Sequence, residues 1–193
     1  MSKQISDKKL STLLESHNRW LSNESPGRRA NLENHDLHNR DFSNKNLIGV
    51  ILNNSNLKDT NFINTDLNNA SMQECDIEDA NFNGTDISRA NLRGSEIRNV
   101  GFTRARSVNT NWSYTEIYES DMDFMECVGT DFSYSIIKQC DIFKSTFIKC
   151  NFTGSKMEQM KHVGDAVFQD CINLPYINEE IRVTGETITL NGE

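Results

Sequence analysis

The chain has 193 residues, of which 36% are hydrophobic, and its mean hydropathy of -0.62 predicts one soluble domain with a narrow core. Its 28 acidic and 20 basic side chains give a net charge of -8, which disfavours direct binding to nucleic acid or to an anionic membrane, because phosphates require positive charge. No apolar run approaches the roughly 20 residues that cross a bilayer, and the start lacks a signal-peptide core, so we expect a cytoplasmic protein.

The first predicted element is an amphipathic helix within residues 1–29. Its apolar and aromatic residues recur at helical spacing: Leu10, Leu13, Leu14, His17, Trp20 and Leu21. Asp7 is the expected cap of its first turn, and Pro26-Gly27 is expected to end it. We expect this segment to act as a cap and linker that covers the open apolar end of the repeats that follow.

From Ala30 to about Cys171 the sequence repeats every five residues around a mostly apolar position, and we expect no insertion to shift this register. The series starts at Leu32, Leu37 and Phe42, is interrupted at Ser107, resumes at Trp112 and fades through His162, Val167 and Ile172. A period of five fits neither the helix nor the strand. In most units a small residue stands first, Asn or Asp second and the apolar residue third, as in Ala80-Asn81-Phe82-Asn83-Gly84 and Ala90-Asn91-Leu92-Arg93-Gly94.

This pattern closely resembles the pentapeptide-repeat family. The resemblance implies an all-β fold, a right-handed quadrilateral β-helix, in which four units make one coil and residues 30–174 form about seven coils. The sequence supports that geometry independently, since residues twenty apart match: Phe42, Phe62, Phe82 and Phe102 form one column, and Trp112, Phe132 and Phe152 form another. We expect these columns to stack.

The tail, residues 175–193, leaves the pattern at Pro175. Two β-prone segments, 181–184 and 187–190, flank Gly185-Glu186, which predicts an irregular tail or a short β-hairpin. The tail could cap the rod or pair with a second copy.

No residues gather into a recognisable catalytic, metal or cofactor site, and we expect none of the three. The five cysteines, Cys75, Cys127, Cys140, Cys150 and Cys171, show no CxxC pair and no zinc spacing, which favours a role as small buried fillers. Cys140 and Cys150 are two units apart and so on opposite walls, which argues against a disulfide between them. A filled rod offers no pocket for catalysis, so we expect a protein that is not an enzyme.

Acidic residues concentrate on the wall that carries Leu37, Leu57, Ile77, Ile97 and Ile117. The proposed partner-binding stripe consists of Asp36, Asp59, Asp76, Glu78, Asp79, Glu96, Glu116 and Glu119, with Lys58 and Arg98 diluting it. Stacked like charges cost stability, which suggests a functional reason. The alternative is that the repeat simply prefers Asp and Asn at that place.

A second candidate surface lies in the last coils, where places that should face solvent carry apolar or aromatic residues: Tyr114, Phe124, Val128, Tyr134, Phe143 and Ile148. Contiguous exposed apolar residues usually mark an interface, so we expect a homodimer or partner contact there. The competing explanation is irregular side-chain direction as the repeat degrades.

Two functional hypotheses follow. The family resemblance implies an interaction protein, because its quinolone-resistance and mycobacterial fluoroquinolone-resistance members bind DNA gyrase and topoisomerase IV, which are type II topoisomerases, as DNA mimics. Those members dimerise through a C-terminal helix and the larger ones carry loops, whereas this tail predicts strand and no insertion is detectable here. The second hypothesis is a structural or scaffolding repeat protein that binds an unknown protein through the late apolar residues.

Overall fold

The computed structural model describes residues 3–175, 177 and 188–190. It contains one α-helix, α1 (Asp7–Leu21), within those residues. The strands are β1 (Lys3–Gln4), β2 (His35–Asp36), β3 (Asp76–Glu78), β4 (Glu96–Arg98), β5 (Arg106–Val108), β6 (Glu116–Tyr118), β7 (Glu126–Val128), β8 (Ile136–Lys138), β9 (Thr146–Ile148), β10 (Lys156–Glu158), β11 (Ala166–Gln169) and β12 (Ile188–Leu190). The predicted β-solenoid with an N-terminal helix is confirmed.

Parallel backbone pairing between residues twenty apart builds the solenoid. Bridges join Asn31 to Ile51, Asp36 to Asn56, Asp41 to Asn61 and Asn46 to Asp66, so four consecutive units complete one coil. We number the four walls from the central residues Leu32, Leu37, Phe42 and Leu47. On the first wall, consecutive parallel bridges run from Asn31 all the way to Ile172.

The central residues fill the axis. Nearly all are fully buried, and the predicted phenylalanine column of the third wall is confirmed, because the ring centroids of Phe42 and Phe62 are 5.1 Å apart and those of Phe62 and Phe82 4.7 Å apart. On the first wall, the Trp112 and Phe132 rings stack at 5.8 Å, and Phe132 and Phe152 stack at 5.2 Å. Stacking between coils therefore supplies the core that no single unit could bury alone.

Two positions of the five-residue unit form side-chain hydrogen bonds to the backbone. They are the small residue at the first place and the Asn or Asp at the second place. Many first-place hydroxyls donate to the carbonyl oxygen of a central residue one coil earlier, as Thr65 Oγ1 does to Phe42 O at 2.7 Å. Second-place side chains accept from the backbone N–H two residues on, as Asn61 Oδ1 does from Ile63 N at 3.1 Å. The repeat motif thus satisfies, with its own side chains, polar groups that the narrow rod would otherwise leave unpaired.

Short strands, three residues long except for the four-residue β11, replace the tight turns on two opposite walls as the chain proceeds. β3, β4, β6, β8 and β10 form a parallel sheet on the second wall, and β5, β7, β9 and β11 form one on the fourth. All but the first of these nine strands begin with a residue other than Asn or Asp, as Glu96 and Arg106 do. Loss of the side-chain acceptor favours an extended backbone, although Ile51, Ser71 and Gly101 keep the tight turn without Asn or Asp.

The register shifts by one residue near His162, which corrects the expected series at its end. Asn151 pairs with Ile172 and Thr146 with Val167, so the step between coils becomes twenty-one residues. Phe168 is consequently the buried residue, Val167 is only half-buried, and the Ile172 side chain is 55% exposed. His162 also points outward and pairs with Asp141.

Helix α1 packs on the first coil as the predicted cap. Leu10 and His17 are buried, and the His17 Nδ1 accepts from the Ala30 backbone N–H at 3.1 Å. The N-cap is Ser6 rather than Asp7, because the Ser6 Oγ accepts from Lys9 N at 3.3 Å. The helix ends at Leu21, before Pro26-Gly27.

At the other end, β12 pairs antiparallel with β11, the last strand of the fourth wall. The predicted hairpin partner at 181–184 and its turn at Gly185-Glu186 lie outside the described residues. The fourth-wall sheet therefore ends in a reversed strand.

Candidate interaction surfaces

The acidic stripe lies on the second wall, and strand pairing sets its spacing. Asp76, Glu96 and Glu116 open β3, β4 and β6 and are direct register partners, and Asp36 joins the same column through Asn56. Neighbouring carboxylates are thus one strand apart, about 4.8 Å at the backbone. The column ends after Glu116, where its next members are Ile136 and Lys156.

Part of this stripe is neutralised by its own neighbours. Lys58 Nζ lies 2.6 Å from Glu78 Oε2 and 3.1 Å from Asp76 Oδ2, and its hydrogen bonds to Glu78 and then to Asp76 raise the pKa of Lys58. The Asp59 carboxylate lies 3.2 Å from the His38 Nδ1. Lys58 therefore compensates part of the negative charge of Asp76 and Glu78.

Two further carboxylates of the stripe accept hydrogen bonds from amide side chains, which do not cancel their charge. Asn56 Nδ2 donates to Asp36 Oδ1 at 2.9 Å, and Asn99 Nδ2 donates to Asp79 Oδ1 at 2.6 Å. Each hydrogen bond fixes the orientation of its carboxylate on the wall and leaves the negative charge intact.

Glu96, Glu116 and Glu119 are the members of the stripe that have neither an ion pair nor an amide side-chain donor among the described residues. All three side chains are exposed, and none forms an ion pair with any residue that the structure describes. Arg98, which could have neutralised them, instead stacks its guanidinium 4.5 Å from the centre of the Tyr118 ring. We call these three glutamates the acidic centre.

The six apolar candidates separate into two groups. Tyr114 and Tyr134 stack at 5.0 Å on the edge between the first and second walls, and Arg93 lies 4.1 Å from the Tyr114 ring centre. Both tyrosines adopt left-handed backbone conformations, φ +60° and +57°, at the fifth place that forms the corner. Because Glu116 is two residues after Tyr114, this tyrosine edge borders the acidic centre.

The remaining four lie on the other side of the rod. Phe124 and Phe143 meet edge to face at 5.7 Å, and Val128 pairs in register with Ile148 on the fourth wall. Phe124 is exposed, whereas the other three are half-buried. We call Phe124, Val128, Phe143 and Ile148 the apolar wall.

Sequence reasoning missed two contributors to these surfaces. Val108 precedes Val128 in the same column and extends the apolar wall. Arg93 covers the tyrosine edge. Twenty-residue spacing could have identified Val108, but a cation stacked on a ring has no signal in the repeat.

A groove of about 550 Å³ separates α1 from the first coil on the third-wall side. Its lining mixes Leu10, Leu14 and Leu47 with the ion pair between Asp7 and Arg40. In the described parts of the chain, no group of three or more His, Cys, Asp or Glu residues is placed to hold a metal ion. Nor does any described helix have the length and apolar character to span a membrane.

Comparison with known proteins agrees with this architecture. A family model described as a pentapeptide repeat region matches residues 28–102. No curated protein matches the chain significantly.

Among solved structures, a trypsin-treated QnrB1, a plasmid-mediated fluoroquinolone resistance protein, is similar with a TM-score of 0.62 and 20% identity over 73% of this chain and 71% of that one. A second trypsin-treated form of QnrB1 gives a TM-score of 0.52 and 21% identity with the same coverage. Rfr23, a pentapeptide repeat protein of the cyanobacterium Cyanothece, aligns with a TM-score of 0.46 and 10% identity over 84% of this chain and 98% of that one. Residues 28–102 therefore form a pentapeptide repeat region, and the likeness to the two QnrB1 structures shows that the chain has the β-solenoid fold.

Proposed function

We propose that this protein is a non-enzymatic interaction module whose acidic centre binds the basic DNA-binding groove of a protein partner in the cytoplasm. One observation carries the proposal: Glu96 and Glu116 are stacked in register, exposed and free of ion pairs in the described structure. Leaving like charges adjacent in a sheet costs stability. A partner with positive charge would offset that cost.

The spacing supports mimicry of a nucleic acid strand. Carboxylates one strand apart recur at about 4.8 Å, which is comparable to the axial spacing of about 3.4 Å between phosphates on one DNA strand. The net charge of -8 favours the same kind of partner, since it would steer the rod toward a basic groove and away from DNA itself. The family resemblance makes a type II topoisomerase, DNA gyrase or topoisomerase IV, the partner to test first.

The test is a charge reversal with a matched control. Glu96→Lys reverses a charge in the acidic centre, whereas Glu126→Lys makes the same net change at the same place of a unit on the opposite wall. We expect Glu96→Lys to weaken gyrase binding about tenfold, roughly 1.4 kcal/mol, and Glu126→Lys to leave it nearly unchanged. Titration calorimetry and a supercoiling assay would measure both.

Equal losses in both variants would show that only net charge matters, which contradicts a defined binding wall. A parent protein that binds neither gyrase nor topoisomerase IV would remove these enzymes as partners.

The second candidate function is a scaffold or homodimer that uses the apolar wall. It is favoured by the in-register column of Val108, Val128 and Ile148, with Phe124 exposed beside it. Such a contact would survive high salt, because screening does not weaken apolar burial. If light scattering reports a dimeric parent, Phe143→Asp with Ile148→Asp should yield a monomer, and an unchanged mass would exclude this surface as the dimer contact.

A further inference from the structure

Two cysteines occupy successive rungs of the first wall. Cys150 and Cys171 immediately precede the bridge partners Asn151 and Ile172, and the Ile172 N–H donates to the Cys150 carbonyl at 2.8 Å. The Cys150 thiol donates to the Cys127 carbonyl at 3.5 Å and the Cys171 thiol to the Phe147 carbonyl at 3.2 Å, so both side chains turn toward central residues of the fourth wall. A strand spacing of about 4.8 Å falls within the Cα separations that disulfides span.

The register shift creates this pair. With an uninterrupted step of twenty residues, Asp170 rather than Cys171 would follow Cys150 in its column. The extra residue near His162 moves Cys171 into line, which is why the sequence pattern alone did not join the two thiols.

The two thiols differ in accessibility and in acidity. Cys150 is fully buried, whereas Cys171 is half-buried and so can be reached from solvent first. Interaction with the neighbouring Cys150 thiol lowers the pKa of Cys171, and interaction with the Cys171 thiol, together with burial, raises the pKa of Cys150. Cys171 is therefore the better nucleophile and Cys150 the partner held next to it.

We propose that Cys150 and Cys171 are a redox pair that closes into a disulfide on exposure to a peroxide. The Cys171 thiolate attacks one peroxide oxygen, the O–O bond breaks, and a sulfenic acid forms on Cys171 while the peroxide is reduced to hydroxide or alkoxide. The Cys150 sulfur then attacks the sulfenic sulfur, forming the S–S bond. The Cys150 proton leaves with the departing hydroxide as water.

The remaining cysteines provide internal contrasts. Cys140 occupies the same first place in its unit, but the rungs before and after it carry Ser120 and Met160 in line with it. Cys75 likewise lies between Ser55 and Ser95, so neither cysteine has a second thiol on an adjacent rung. Cys127 lies close enough to influence both members of the pair, but it is fully buried, and burial raises its pKa. It is the competing partner that the experiment must distinguish.

Peptide mapping after treatment of the reduced, full-length protein with hydrogen peroxide tests the proposal. Under non-reducing conditions, tryptic peptides 150–156 and 162–182 should appear joined, with the loss of two hydrogens, and should separate on reduction. Peptides that carry Cys75 and Cys140 should keep free thiols. Circular dichroism before and after treatment would confirm that the chain stayed folded.

Variants identify the order of the two steps. Cys150→Ser should abolish the joined peptides and leave a sulfenic acid on Cys171 that dimedone traps, whereas the matched control Cys140→Ser should form the disulfide as the parent does. Separate peptides in the treated parent would overturn the proposal. So would a predominant disulfide that includes Cys127.

Discussion

Ser107 interrupts the apolar series, and the next central residue, Trp112, gives the reason. Trp112 is fully buried, so its indole N–H requires an acceptor, and the Ser107 Oγ supplies one at 2.9 Å. The same indole meets the Phe102 ring at 5.3 Å and carries the aromatic stack across the axis from the third wall to the first. The small Ser107 therefore leaves room in the core for the large Trp112 side chain and accepts its hydrogen bond.

We expect Ser107→Ala to destabilise the protein by about 1–3 kcal/mol, because it leaves a buried N–H without a partner. Chemical denaturation would measure the free energy of unfolding.

Trp112→Phe serves as the control background, since phenylalanine needs no acceptor there. The loss on Ser107→Ala should then shrink by about 1 kcal/mol or more. Additive effects of the two substitutions would contradict the proposed coupling.

At the residue scale, the sequence predicted which positions are buried but not every individual side-chain position or contact. The five-residue period predicted the burial of Leu37 or Phe82, because each such place faces the axis in every coil. It wrongly placed Val167 rather than Phe168 at the axis, because both are apolar and adjacent and the shift near His162 has no marker in composition. The compensation of Asp76 by Lys58 depends on how far a lysine side chain reaches between coils.

At the scale of elements, His17 joins α1 to the first coil through a hydrogen bond that it can accept only when its ring is neutral. The His17 Nδ1 accepts from Ala30, its ring stacks on Trp20 at 5.4 Å, and its Nε2 has no hydrogen-bond partner in the described structure. Burial, and to a smaller extent the charge of Arg29, lower the pKa of His17. Protonation would remove the acceptor and place a charge beside a guanidinium.

A lowered folded-state pKa means that His17 stabilises docking above its unfolded pKa of about 6.5 and that this contribution is lost as the pH falls below that value. We expect hydrogen exchange of the α1 and Ala30 amides, corrected for intrinsic rates, to accelerate between about pH 7.5 and about pH 5, about tenfold for each unit by which the pKa is lowered.

His17→Gln keeps a neutral acceptor and should remove that pH dependence. Equal protection of the parent at both pH values would show that docking does not depend on the charge of His17.

The two proposed surfaces also belong to elements rather than to single residues. Sequence reasoning grouped six apolar residues because all lie in the late coils, yet residues ten apart, such as Tyr114 and Phe124, stand on opposite edges of a square coil. The prediction of an acidic wall needed only the twenty-residue spacing. Which of its acids stay uncompensated required side-chain positions.

Across the whole molecule, each coil depends on the coils that touch it. Phe82 stacks on Phe62 at 4.7 Å and on Phe102 at 5.2 Å, whereas Phe42 has a ring neighbour in this column only on one side, at 5.1 Å. Both side chains are fully buried. They therefore form a matched pair that differs mainly in position along the rod.

We expect Phe82→Ala to cost about 3–5 kcal/mol and Phe42→Ala about 1 kcal/mol less, since it loses one aromatic contact fewer. Urea denaturation of the three proteins would measure this difference. Equal losses would indicate that contacts within a coil, rather than stacking between coils, dominate the stability.

The reversed strand β12 has a consequence for growth of the rod. A ladder made only of parallel rungs offers its last rung as a template on which another molecule can continue the spiral. On the fourth wall the last parallel strand, β11, is already paired with β12. Because β12 is antiparallel to β11, it cannot continue the coil. The antiparallel strand therefore disfavours end-to-end polymerisation, and the length of the solenoid stays fixed.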